Sequence, residues 1–116
     1  MTIRYKNQGF KQANTDKTTV FTCPTDATCI VKSVYCSNTD ASSAILVHMN
    51  LVDSSDSSAE YEFFREDVPA KSQVNATPQG LNLEAGDSIT VQAATGSNTI
   101  QGSVSYAQID RSQENG

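Results

Sequence analysis

Tryptophan is absent and histidine occurs once in this sequence of 116 residues. One histidine leaves little for a hydrolase triad and excludes a site built from several histidine metal ligands. Basic side chains are also scarce, with 8 Lys and Arg against 13 Asp and Glu and a formal net charge of -5. Because nucleic-acid backbones and anionic membrane surfaces both attract Lys and Arg, we expect neither a nucleic acid nor a membrane as a partner.

Apolar and charged residues are both below their usual share. They make up 37% and 18% of the chain, against the usual ~45–50% and ~25% of globular proteins. Ser, Thr, Asn, Gln and Ala fill the difference. Such small neutral residues favour β-strands with one wet face joined by tight turns, whereas disordered chains are more often highly charged and poor in β-branched residues.

The ends of the sequence contain no long apolar run. Residues 1–10 lack the apolar core of a secretory signal, and no segment approaches the ~18–20 apolar residues that a membrane-spanning helix needs. We therefore expect a protein made and kept in the cytosol, where free thiols are the default state of Cys23, Cys29 and Cys36. Residues 110–116 contain no apolar side chain, which predicts a flexible tail.

The strongest strand signal lies in residues 44–53. Apolar side chains there alternate at the two-residue period of a strand, with Ile45, Val47 and Met49 on one face. Clusters of turn-forming residues separate the apolar runs at intervals of roughly 8–12 residues, which is typical of a sandwich or barrel. The other predicted strands are residues 3–10, 18–23, 29–36, 60–68, 81–83, 87–94 and 100–106.

This pattern predicts an all-β fold, an antiparallel β-sandwich of about seven or eight strands with an immunoglobulin-like or jelly-roll-like arrangement. We expect residues 1–15 to form an N-terminal arm or a first weak strand. The sandwich domain is predicted to cover residues 16–109, and the tail residues 110–116. Because large apolar side chains are few, contacts between subunits are expected to supply part of the stability.

The three cysteines allow more than one interpretation. Cys23 and Cys29 flank a plausible hairpin loop, across which they would face each other. Cys36 lies an odd number of residues after Cys29, so these two are predicted to point to opposite faces of one strand. The spacings do not supply the short Cys-x₂₋₄-Cys pair of a zinc site. Free thiols are favoured, with a Cys23–Cys29 disulfide and a metal site as the alternatives.

The aromatic pair Phe63-Phe64 is the clearest candidate for an interface. Neighbouring residues of a strand point to opposite faces, so one ring needs cover from a partner or from residues 70–80. His48 lies on the less apolar face of its strand, and no motif brings an acid or a nucleophile beside it, which indicates packing at a surface or interface. The predicted interface residues are Phe10, Leu46, His48, Phe63 and Phe64.

No catalytic motif is recognisable. The acidic residues Asp53, Asp56 and Glu60 lack the spacing of a calcium loop. The Asn75-Ala76-Thr77 sequon is expected to stay unmodified in a chain without a secretory signal. A Gly-rich phosphate loop and a Gly-x-Ser-x-Gly element are also missing. We therefore predict that the protein is not an enzyme and has no catalytic residues, cofactor or metal.

Five segments carry a family resemblance: residues 18–24, residues 30–40, the apolar strand that ends at residues 52–55, residues 81–93 and residues 102–109. The strongest is Leu81-Asn82-Leu83-Glu84-Ala85-Gly86-Asp87, a strand followed by a turn in which glycine supplies a conformation that other residues resist. With these segments the chain resembles the small β-sandwich virion structural proteins of tailed bacteriophages, especially those of phages that infect cyanobacteria and other aquatic bacteria. The number of cysteines and the polar residues 70–80 depart from the family pattern.

The resemblance implies a non-enzymatic assembly module, present in many copies and assembled into the virion in the cytoplasm of a bacterial host. Its implied partners are further copies of itself, in a homo-oligomer, and other capsid, neck or tail proteins. An external accessory part is favoured, either a capsid decoration or cement protein or a neck or collar component. The alternative is a tail-fibre or baseplate module that binds a host receptor or carbohydrate.

Overall fold

The computed structural model describes residues 2–77 and 80–110 and has an all-β fold. Nine strands and a single 3-10 turn, Ser54–Asp56, are present in these residues, and α-helices are absent from them. The predicted turn at residues 77–80 lies partly, and the predicted tail almost wholly, outside the described residues. The strands are β1 (Thr2–Lys11), β2 (Thr18–Thr22), β3 (Ala27–Asn38), β4 (Ile45–Asp53), β5 (Ala59–Val68), β6 (Ser72–Asn75), β7 (Asn82–Leu83), β8 (Ser88–Ala93) and β9 (Ile100–Asp110).

Two antiparallel sheets pack face to face, which confirms the predicted sandwich. Sheet A has the strand order β1-β9-β3-β6, and the short strand β7 also pairs with β3. Sheet B has the order β2-β8-β4-β5. The strand that the sequence pattern missed is β6, which lies within the polar residues 70–80. Residues 2–11 pair with β9 along the whole length of β1, from Thr2 opposite Asp110 to Lys11 opposite Gln101.

The core lies between the two sheets and is built from the inward face of each strand. Its fully buried side chains come from both sheets, and the rings of Phe21 in β2 and Tyr106 in β9 meet across the layer with their centroids 4.4 Å apart. Burial of this apolar surface, at ~25 cal/mol per Å², is the main force that holds the sheets together. The largest fully buried apolar side chains are Met49, Leu83, Ile89, Ile100, Val34, Val47, Val68, Val91 and Val104.

The prediction that Cys29 and Cys36 point to opposite faces is wrong. Strand β3 has a bulge between Val31 and Ser33, where Lys32 has no partner in the register with β9. An extra residue in one strand shifts the alternation of side chains beyond it. As a result both thiols face the core, and each is 0% exposed.

The predicted hairpin between Cys23 and Cys29 is also wrong. Cys23 follows β2 in sheet B, whereas Cys29 lies in β3 of sheet A, so residues 24–28 cross from one sheet to the other. The crossing turns at Pro24, whose carbonyl oxygen accepts a hydrogen bond from the Ala27 amide at 3.2 Å.

A second bulge explains the pair Phe63-Phe64. Met49 of β4 lies opposite Phe64 and Asn50 opposite Glu62, so Phe63 is the extra residue. Phe64 enters the core and is 8% exposed, while Phe63 is half-buried and packs against the same core. The two rings are therefore both covered in large part within one chain.

Buried Asp87 fastens the two connections at one end of the sandwich. Its carboxylate accepts hydrogen bonds from the amide and the hydroxyl of Ser54, both at 3.0 Å, and from the Glu84 amide at 2.9 Å. The 3-10 turn after β4 is thereby tied to the turn before β8, where Gly86 has a φ of 84°. Carboxylates that accept several such bonds hold turns in one conformation.

Candidate interaction surfaces

The outer face of sheet A carries an exposed apolar strip. Tyr5 of β1, Ala107 of β9 and Ile30 of β3 lie side by side in the register, and Ile3 lies opposite Ile109 further along the same face. Directly opposed residues of antiparallel strands share a face. Tyr5 is 74% exposed, Ile3 51% and Ile30 42%. We call these five residues the apolar strip.

The apolar strip has a cationic border. The ammonium of Lys32, the bulged residue of β3, lies 5.2 Å from the centroid of the Tyr5 ring, within cation–π range. Lys32 therefore places a positive charge beside the apolar strip. A surface of this kind suits contact with another protein.

The outer face of sheet B is polar and ionic instead. The Glu62 carboxylate accepts a hydrogen bond from Nε of Arg65 at 3.0 Å, and Nδ1 of His48 lies 3.4 Å from it. Lys17 donates to Glu60 at 2.7 Å. Through these hydrogen bonds Arg65 lowers the pKa of Glu62, and Lys17 lowers that of Glu60, below the ordinary value of 4.5. This face is stabilised by pairs that water also solvates.

The predicted interface residues do not form one surface. Phe10 and Phe64 are 9% and 8% exposed and belong to the core. Leu46 and His48 are half-buried on the outer face of β4, where they border a shallow depression of about 340 Å³ together with Thr15 and residues 92–94. Sequence reasoning missed the apolar strip. The alternation of Ile3 and Tyr5 was a signal, but the pairing that sets them beside Ile30 was not visible.

The cysteines belong to the core. All three are free thiols in the structure. Sγ of Cys23 lies 3.5 Å from the carbonyl oxygen of Ala27 and 3.6 Å from that of Leu83. Burial, helped by a hydrogen bond with Cys23, raises the pKa of Cys29 to about 12, and burial raises that of Cys36 to about 11. Because the thiolate is the reactive form, Cys29 and Cys36 are poor nucleophiles and metal ligands near neutral pH.

Within residues 2–77 and 80–110, His, Cys, Asp and Glu side chains form no group of three or more that is arranged to hold a metal ion. In the same part of the chain, no helix combines the length and the apolar character that crossing a membrane requires.

A groove of about 330 Å³ runs between the edge strands β1 and β2. Lys6 and Gln8 line one side and Phe21 the other. Two residues before Lys6 on β1, Arg4 donates to Asp110 at 2.6 Å. Hydrogen bonds from Gln108 and then from Arg4 lower the pKa of the Asp110 carboxyl.

No family model and no curated protein sequence matches the chain. Among solved structures, it is similar to a chain from the acid-stable capsid of Helicobacter pylori bacteriophage KHP30, with 14% identity and a TM-score of 0.60. The match covers 97% of this chain and 90% of that one. It is also similar to a chain from Bacillus endospore appendages, described as disulfide-linked pili, with 11% identity, a TM-score of 0.52 and coverage of 96% and 90%. Both likenesses show a shared fold over almost the entire length.

Proposed function

We propose that the chain is a non-enzymatic structural protein of a bacteriophage virion, where it assembles with further copies of itself and with other virion proteins. The observation that carries this proposal is the match to a chain of a phage capsid structure, which covers 97% of this chain and 90% of that one. The correspondence extends over almost the whole of both chains, so it concerns the complete architecture.

The apolar strip supports an assembly role. Its exposed apolar side chains, Ile3 and Tyr5 on β1 and Ile30 on β3, lose unfavourable contact with water when another protein covers them. The ionic face of sheet B gains less from such cover, because its charges would be desolvated. The strip therefore defines the side of the sandwich that we expect to face a virion partner.

In finer detail, we propose an external accessory part of the cyanophage type, either a capsid decoration or cement protein or a neck or collar component. The net charge of -5 supports a position away from packaged DNA, because like charges repel. The exposed Tyr5 ring, 74% accessible, keeps a receptor- or carbohydrate-binding module of a tail fibre or baseplate as the second candidate.

Quantitative mass spectrometry of purified, nuclease-treated virions tests the proposal. A copy number on the order of hundreds per particle is expected for a decoration protein, and about six or twelve for a neck or tail part. Glycan-array binding by the purified chain, together with a low copy number, supports the second candidate. Absence of the chain from purified particles, while the other structural proteins are detected, overturns the virion role.

A further inference from the structure

Two edge strands of the sandwich carry opposite charge. Strand β1 ends sheet A and β5 ends sheet B, and each is 10 residues long. Strand β1 contains three of the chain's 8 basic residues and no acidic residue, whereas β5 contains four acidic residues and one basic residue. The charged residues are Arg4, Lys6 and Lys11 on β1 and Glu60, Glu62, Arg65, Glu66 and Asp67 on β5.

These two edges lie on opposite sides of the molecule. Strand β1 contacts β2, which is the first strand of sheet B, while β5 contacts β3 and β6 at the far side of sheet A. One side of the sandwich is therefore cationic and the other anionic. The chain is acidic as a whole, so this separation of charge comes from placement along the sequence and not from the composition.

Both edges have unused pairing capacity in the described part of the chain. There, β1 pairs with β9 alone and β5 with β4 alone. Four exposed charges on these strands form no salt bridge with the residues described: Lys6, Lys11, Glu66 and Asp67. A long open edge is a template for another strand, and natural proteins guard such edges by shortening, covering, bending or charging them. A charged edge repels a like edge but accepts an oppositely charged one.

We propose that β1 of one copy pairs edge to edge with β5 of a second copy, so that copies join head to tail. The inference rests on the proposed function in one respect, which is that virion proteins are present in many copies. Backbone hydrogen bonds between the strands supply affinity. The opposite charges select the β1–β5 contact, because two β1 edges or two β5 edges would repel.

This contact is heterologous, since it uses two different surfaces of the same chain. Each copy keeps one unused edge after pairing, so the contact repeats until it closes into a ring or continues as an open row. Because exposed charges contribute, association weakens as the salt concentration rises. The screening length is ~10 Å at 0.1 M ionic strength and becomes shorter at higher salt. The apolar strip on sheet A stays open for a different virion protein.

Complementary charge reversal of the full-length chain tests the contact. Lys6→Glu with Lys11→Glu makes both edges acidic, and Glu66→Lys with Asp67→Lys makes both basic. Sedimentation velocity at low salt is expected to show oligomers of the parent chain. Each reversed variant alone should need at least about tenfold higher concentration to associate. Mixing the two variants should restore association, because each acidic edge then meets a basic one.

A matched control reverses an exposed charge away from both edges, at Glu84→Lys. It should associate like the parent chain. Hydrogen exchange adds a positional readout, because the amides of β1 and β5 should gain protection on association. The edge contact is overturned if the parent chain stays monomeric, if the reversed variants associate like the control, or if the mixture does not recover association. None of these results touches the virion role, which fails only if purified particles lack the chain.

Discussion

The outer faces of the two sheets differ although the inner faces build one core. Sheet A turns the apolar strip outward, with Tyr5 74% exposed. Sheet B turns outward a set of ion pairs around Glu60 and Glu62. Under the proposed function, sheet A is the partner side of the sandwich, because its outer face gains from being covered. Sheet B is the solvent side, because its outer face gains from staying wet. The difference arises from a few alternate positions in β1, β3, β4 and β5.

The largest effect on the difference between the two sheets is expected from a substitution that disrupts sheet A itself. A Cβ atom at Gly102 would lie 2.1 Å from the carbonyl oxygen of Tyr35 and 2.4 Å from Cζ of Phe10. Gly102→Ala is therefore expected to destabilise the fold by about 3 kcal/mol or more, because β9 must move away from β3. Chemical denaturation followed by circular dichroism measures the loss.

Gly9 provides the control for that substitution. A Cβ there would lie 3.8 Å from the carbonyl oxygen of Gly102, an ordinary contact. Gly9→Ala should change stability by less than about 0.5 kcal/mol. Equal unfolding midpoints for the two variants would show that the close approach of β9 and β3 at Gly102 does not limit the stability of the fold.

Alkaline pH should affect sheet A next most strongly. The pKa values of Cys29 and Cys36 are raised from 9.0 to about 12 and about 11, and burial also raises that of Tyr106. A raised folded-state pKa means that the stability from the neutral group is complete below pH 9.0 and is lost as pH rises toward the folded value. Thermal midpoints should therefore fall between about pH 9 and pH 12.

The thermal midpoint of Cys36→Ala is expected to fall less steeply at alkaline pH than that of the parent chain. Slow reaction of all three thiols with an alkylating reagent at pH 8, and rapid reaction after denaturation, would agree with it. Fast modification of the native chain contradicts the placement of the thiols in the core.

Ile30→Ser tests whether the apolar strip contacts a virion partner, and it is expected to have a small effect on folding. Ile30 is 42% exposed, so the substitution should cost about 1 kcal/mol or less in stability. Incorporation of the variant into particles should nevertheless fall well below that of the parent chain. Mass spectrometry of virions produced with the variant measures this.

Leu46→Ser, on the outer face of sheet B, is the matched control and should be incorporated normally. Reduced incorporation of the Leu46 variant alone would move the partner side to sheet B.

The smallest effect is expected at the ion pairs of sheet B. Arg65 lowers the pKa of Glu62 below 4.5, so this carboxylate contributes stability above pH 4.5 that is lost as pH falls through the folded value. Glu62→Gln should lower the thermal midpoint slightly at pH 7. The difference from the parent chain should vanish in acid. Glu84→Gln, at an exposed turn, should show no such pH dependence.

The fold was predictable because strand and turn signals are local. Residues 44–53 and 87–94 were predicted as strands and are observed as Ile45–Asp53 and Ser88–Ala93. Strand β6 was not predicted, since Ser72–Asn75 has only Val74 as a large apolar residue and pairs with β3 through its backbone. Its existence depends on the neighbouring strand more than on its own sequence.

Side-chain direction was less predictable than strand position. A two-residue period assumes an unbroken ladder, and the bulges at Lys32 and Phe63 break it in β3 and β5. This is why Cys29 and Cys36 share a face and why both phenylalanines are largely covered. The apolar strip was hidden for a related reason, because it joins residues from β1, β9 and β3 whose adjacency is set by sheet order.

The position of β9 has a consequence for how the chain reaches this fold. The last described strand lies between β1 and β3, and in the described residues it is the sole strand that pairs with β1. During synthesis, β1 therefore waits without its partner until nearly every other strand has left the ribosome. Contacts so distant in sequence slow folding. Until β9 arrives, the cationic strand stays open to other chains, and the timing of translation decides how long that exposure lasts.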